Sequence, residues 1–153
     1  MFAKMKGEMS MLAEIAASYY TPGHDLNCAE AIVYAANEAY QLNLSKETLR
    51  ASAGFGGGMA VEETCGALTG AILILGVMLV QERAHESDRM KEVVAGFLQR
   101  YEKLKGTTNC QKLKEQYREE DPVKCRAVVM DAARLLEVVL GEEGFPVKRK
   151  GTL

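Results

Sequence analysis

The chain is 153 residues long, 48% hydrophobic and 26% charged, the composition of one soluble globular domain with its own core. Its formal net charge of −2, with acids and bases mixed along the chain, excludes the basic face a nucleic-acid binder needs. No apolar run reaches the ~18–20 residues that span a bilayer, and Met1 to Tyr20 lacks the unbroken apolar stretch of a secretory signal, so a cytoplasmic protein without a membrane partner is expected.

The spacing of apolar residues predicts helices nearly throughout. Met5 to Tyr20 places Met9, Leu12, Ala13, Ile15, Ala16 and Tyr19 on one face, and Thr21-Pro22-Gly23 ends it. Asn27 to Leu42 repeats the pattern with Ala31, Ile32, Ala35, Ala39 and Leu42. Ser45 caps a short helix running to about Ala53. Gly54-Phe55-Gly56-Gly57-Gly58-Met59 reads as a loop, because each interior glycine costs a helix about 1 kcal/mol relative to alanine. Glu62 to Val80 is apolar almost all round, which predicts a buried central helix. Gly66 and Gly70 give it a small face that lets another backbone approach, in a monomer core or a homodimer.

Ser87 opens a helix from Asp88 to Lys105, ended by Gly106, and Asn109 starts a short charged segment to Arg118. Asp121 and Pro122 are suited to start the last helix, whose stripe is Val128, Val129, Ala132, Leu135, Leu136 and Val139 and which Gly141 and Gly144 close. No alternating strand pattern of useful length occurs. The expectation is an all-α, single-domain bundle of about six or seven helices with a Gly-rich loop before the central helix. It covers residues 1–145, and residues 146–153 form a basic tail whose Lys148-Arg149-Lys150 reads as a solvated terminus.

Each of the four cysteines, Cys28, Cys65, Cys110 and Cys125, opens a helix-like segment. Asn27, Thr64 and Asn109 immediately precede three of them, and Asn and Thr are good cap residues. A thiol in a first helical turn meets unpaired N–H groups and the positive end of the dipole, both of which favour the reactive thiolate. No two cysteines form C-x-x-C, so the fold would have to gather the sulfurs. Four converging thiolates suit an iron–sulfur cluster or zinc. Two converging pairs, Cys110 with Cys125 and Cys28 with Cys65, suit reversible disulfide exchange without metal. Cysteine is also a well-buried small hydrophobe, so a non-catalytic helical subunit of a redox complex is the third reading; the repeated place at a helix start counts against it.

Around the thiols, Gly56, Gly57, Gly58 and Gly66 are candidates to pass close to a cofactor and offer N–H groups to its sulfurs, although a tight, backbone-close loop is the simpler role. Glu62 and Glu63 read first as first-turn acids and second as metal ligands or a proton relay. His24 could ligate a metal or donate to Cys28, with a surface-loop histidine favoured, and His85 reads as solvated. Tyr19, Tyr20 and Tyr34 either line a pocket beside Cys28 or belong to the core.

The order Cys28, then FGGGM, then the CGALTG of Cys65 to Gly70 with a following Leu75-Gly76, then Cys110 and Cys125, resembles the C_GCAxxG_C_C family, whose members are suspected of redox activity. The resemblance runs roughly from Tyr20 to Leu140. In this chain Thr64 precedes the central cysteine and Gly66 follows it, the CGAxxG form of the motif. The resemblance implies a helical protein whose four motif cysteines serve a metal or redox centre and a redox partner protein.

Overall fold

Short polar side chains start the helices. In the computed structural model, which describes residues 9–118, 123 and 125–148, Ser10, Asn27, Ser45, Ser87 and Asn109 each accept a backbone N–H from the first turn that follows. The helices they open are α1 (Met11–Tyr19), α2 (Cys28–Ala39), α3 (Lys46–Ala51), α5 (Asp88–Lys105) and α6 (Cys110–Tyr117). Two more, α4 (Gly66–Leu79) and α7 (Arg126–Glu142), have cysteines at the cap position. The described residues contain no strand, and the chain is an all-α protein.

The stripes explain the packing. α4 lies against α2, α5 and α7, while α1 covers α2 and α7. Leu68, Ala71, Ile74 and Leu75 of α4 are fully buried, together with Ile32 of α2 and Val129, Leu135 and Leu136 of α7. Such burial stabilises by roughly 1.5–3 kcal/mol per large aliphatic side chain. The small face of α4 is used inside the chain: a Cβ on Gly70 would lie 2.7 Å from the Ala29 carbonyl oxygen, so α2 and α4 touch backbone to backbone. α4 is not buried all round, since Val77 is 39% exposed.

Several boundaries differ from expectation. α1 starts at Met11 rather than Met5, leaving Met9 87% exposed; residues 1–8 lie outside the described residues. α2 stops at Ala39, short of Leu42, because Gln41 and Asn43 turn the chain with φ near 51° and 53°. The last helix was expected from Asp121 and Pro122, which lie outside the described residues; the described helix begins at Arg126. Gly141 lies inside it rather than closing it, and Gly144, at φ 90°, follows its end. Beyond it, Phe145 and Val147 pack on the core and the Lys148 N–H donates to the Ala39 carbonyl at 2.9 Å; Arg149 and Lys150 are outside the described residues.

Candidate thiol centre

All four cysteines sit at helix starts and line one cavity. Cys28 and Cys110 are the first residues of α2 and α6, and Cys65 and Cys125 occupy the cap positions of α4 and α7. The cavity measures about 210 Å³, and Tyr20, Asn27, Gly57 and Lys114 complete its polar and backbone lining. None of the four is in a disulfide. Cys65 and Cys110 are each 5% exposed, whereas Cys28 and Cys125 are half-buried.

Local backbone pairing brings two of these helix starts together. Thr64 and Asn109 form an isolated antiparallel bridge. On either side of it, the Cys65 N–H donates to the Thr108 carbonyl at 2.9 Å and the Cys110 N–H donates to the Glu63 carbonyl. Thr64 is therefore not the cap of α4, and α4 begins at Gly66 rather than Glu62. Glu62 and Glu63 are exposed residues ahead of the helix, not first-turn acids.

The two Asn-Cys pairs fasten the glycine segment. Asn27 caps α2 through its carbonyl oxygen and donates from Nδ2 to the Ala53 carbonyl at 2.9 Å. Asn109 caps α6 in the same way and donates from Nδ2 to the Glu62 carbonyl at 3.1 Å. Between these anchors the expected loop is a 3₁₀ turn (Ser52–Phe55) followed by four consecutive left-handed residues: Gly57, Gly58, Met59 and Ala60, with φ from 59° to 65°. Left-handed backbone costs a non-glycine residue roughly 1–2 kcal/mol, a cost concentrated beside the cavity.

The motif glycines are set by the cysteines and their caps. A Cβ on Gly66 would lie 2.5 Å from Cys28 Sγ, and one on Gly58 would lie 2.8 Å from the Cys110 Cβ. A Cβ on Gly56 would overlap the Asn27 side chain at 2.2 Å. Gly57 alone of the glycine candidates lines the cavity.

Burial outweighs the helix-start effect at Cys65. Desolvation pushes its thiol up to about 12, and the neighbouring Cys28 and Cys110 push the same way, against the Ala67 and Leu68 N–H groups beneath the sulfur. The expected thiolate-favouring effect of a helix start is thus reversed there. The thiol binds its proton more tightly folded than unfolded, so its contribution to stability is present below the unfolded value near 9 and lost as pH rises toward 12. Denaturation of the reduced, metal-free protein should show stability falling by up to about 1.4 kcal/mol per pH unit in that window. Cys65→Ala should flatten the fall, and an unchanged slope would contradict it.

Of the tyrosines expected to line a pocket beside Cys28 or to belong to the core, Tyr20 lines the cavity; Tyr101 was not expected at the site. The Tyr20 phenol is held well above its ordinary value by burial, then by Cys125, Cys28 and Cys65. The Tyr101 phenol is 1% exposed, has no hydrogen-bond partner, and is raised by burial and then by Cys65. The Tyr19 and Tyr34 rings meet at a tilt of 55° outside the cavity, their centroids 5.7 Å apart. His24 does not line the cavity; its Nδ1 lies 3.1 Å from Thr21 Oγ1 and its ring packs at a tilt against Tyr19. His85 is exposed. Among the described residues no group of three or more His, Cys, Asp or Glu side chains is gathered to hold a metal ion, and no helix is long and apolar enough to cross a membrane.

No curated protein and no solved structure matches the chain. A family model described as "Putative redox-active protein (C_GCAxxG_C_C)" matches residues 26–139, a span that holds all four cavity cysteines, the glycine segment, helices α2 to α6 and most of α7. The chain therefore belongs to the C_GCAxxG_C_C family.

Proposed function

We propose that Cys28, Cys65, Cys110 and Cys125 together hold a redox-active metal centre, an iron–sulfur cluster in preference to a single zinc ion. The observation that carries this reading is the one cavity of about 210 Å³ lined by all four cysteines at the N-terminal ends of four helices. The donor set is all sulfur, which suits iron–sulfur chemistry. Four helix N-termini around it favour negative charge, and a thiolate-ligated cluster is an anion. The cavity, about 210 Å³, has room for a multi-atom group. When bound, such a group supplies one-electron transfer. The chain's own residues bind it, exclude water and fix the sulfurs. Cys65 gives up a proton on ligation, so binding weakens as pH falls.

A second reading has a specific observation behind it. Cys28 is the charge that most strongly disfavours ionisation of Cys65 after burial itself, which supports a Cys28–Cys65 dithiol couple that passes two electrons and two protons to a partner as a disulfide forms. In either case the partner is a protein that docks near the glycine segment, where Phe55, Met59 and Val61 are 37%, 41% and 70% exposed. Metal and sulfide analysis after anaerobic purification separates the readings: iron with sulfide supports the cluster, and metal-free protein with a reversible disulfide supports the couple. Four inert thiols without metal would overturn both.

A further inference from the structure

Lys114 lies four residues after Cys110 in α6, and residues four apart share a helix face. Its half-buried side chain lines the same cavity of about 210 Å³ as the four cysteines. Among the described residues it is the only charged side chain that does so. The acids that neighbour these elements in sequence are directed elsewhere. Glu62, Glu63 and Glu115 are exposed and do not line the cavity, and Glu30 accepts the Asn27 N–H at 3.1 Å in the cap of α2. Asp131 takes up the Lys105 ammonium, whereas no ion pair among the described residues takes up that of Lys114. We propose that Lys114 is a specificity-determining residue of the thiol centre: its ammonium makes the cavity selective for a negatively charged occupant.

The physical basis is short-range Coulomb attraction. Charges are screened over about 8 Å at physiological salt, so a cation in the lining of so small a cavity acts on anything inside it. Two opposite unit charges about 4 Å apart in a water-like medium favour each other about fivefold. The inference rests on the redox reading and deepens it. A thiolate-ligated cluster and an anionic disulfide that meets a dithiol couple share the negative charge Lys114 would recognise.

The charge preference can be measured without a centre. In reduced, metal-free protein, iodoacetate and iodoacetamide attack the same thiolates but differ by one negative charge. The ratio of their rates therefore cancels the amount of thiolate and reports the charge preference alone. Mapped at the half-buried Cys28 and Cys125 by mass spectrometry, that ratio should fall about fivefold in Lys114→Met, which keeps an unbranched stem and a good helix former. Lys114→Arg should retain it. Lys112→Met removes the same charge from an exposed position of the same helix and should leave the ratio close to wild type. In protein carrying a reconstituted cluster, Lys114→Met should lower the midpoint potential by about 40 mV, the same fivefold at about 59 mV per tenfold for one electron. A folded Lys114→Met protein with an unchanged ratio, or an equal fall in Lys112→Met, overturns the inference. Absence of both a cluster and a reversible disulfide would sink the redox reading instead, and the ratio would still decide the charge preference.

Discussion

Gly66→Ala should lose the thiol centre and about 3 kcal/mol of stability, the upper part of the usual range for forcing atoms into a packed interior. The new Cβ would lie 2.5 Å from Cys28 Sγ, 2.8 Å from the Phe55 carbonyl oxygen and 3.1 Å from the Gly56 Cα. The last two are backbone atoms and cannot swing aside. The first is a motif sulfur, so the movement that relieves the clash also pushes Cys28 away from the other three. Gly76→Ala, in the same helix, makes the contrast. A Cβ there meets nothing within 4 Å, so alanine should stabilise by up to about 1 kcal/mol through helix propensity. Urea denaturation midpoints give the stabilities, and metal retention or thiol accessibility gives the site. Equal effects of the two substitutions would show that the cavity wall is looser than its geometry.

The second large effect lies behind the cavity. Asp131→Ala should destabilise by about 1.5–3 kcal/mol, because it removes a charged acceptor from the buried Lys105 ammonium. Lys105 Nζ pairs with Asp131 Oδ2, and their side chains are only 7% and 11% exposed. Burial alone would depress the Lys105 ammonium, but Asp131 and Tyr117 outweigh it and hold the group above its ordinary value. The ammonium also sits over the Tyr117 ring, 5.0 Å from its centroid, and Arg134 reaches Asp131 at 3.0 Å. Lys105 is the last residue of α5, five residues before Cys110, and Asp131 lies in α7, six after Cys125. The pair thus joins the end of α5, α6 and α7, the elements that deliver two of the four sulfurs. Asp131→Asn, which keeps an acceptor, should cost less. Thermal denaturation checks the order, and a neutral Asp131→Ala would show that the pair does not hold α5 on α7.

How much of this was readable without coordinates depended on whether the cause was local. The caps Asn27, Ser45, Ser87 and Asn109 are set by side chains three residues from the N–H groups they accept, so the helix starts followed directly. The α7 stripe was equally plain, since each named position is buried. The start of α4 was not. Glu62 turns with φ 57°, and Thr64 pairs with Asn109, 45 positions away, so no local pattern marks the break before Cys65. The placing of each cysteine at a helix start was legible, and it was the ground for expecting the sulfurs to meet. Their common cavity depends on α2, α4, α6 and α7 pointing the same end inward, which is tertiary. The raised Cys65 thiol was hidden for the same reason: a helix start favours the thiolate, but only packing reveals how dry the sulfur is. Tyr101 lies within the helix expected from Asp88 to Lys105, and nothing in its spacing shows that its hydroxyl is buried without a hydrogen-bond partner.

Anaerobic iron–sulfur reconstitution of the wild type and of Cys28→Ser, Cys65→Ser, Cys110→Ser and Cys125→Ser tests the shared centre most directly. One cluster per chain in the wild type, with loss or strong depletion in every folded variant, is the predicted result. Full cluster occupancy after removal of any one of the four, or no cluster in the wild type, would contradict a centre held jointly by the four thiols.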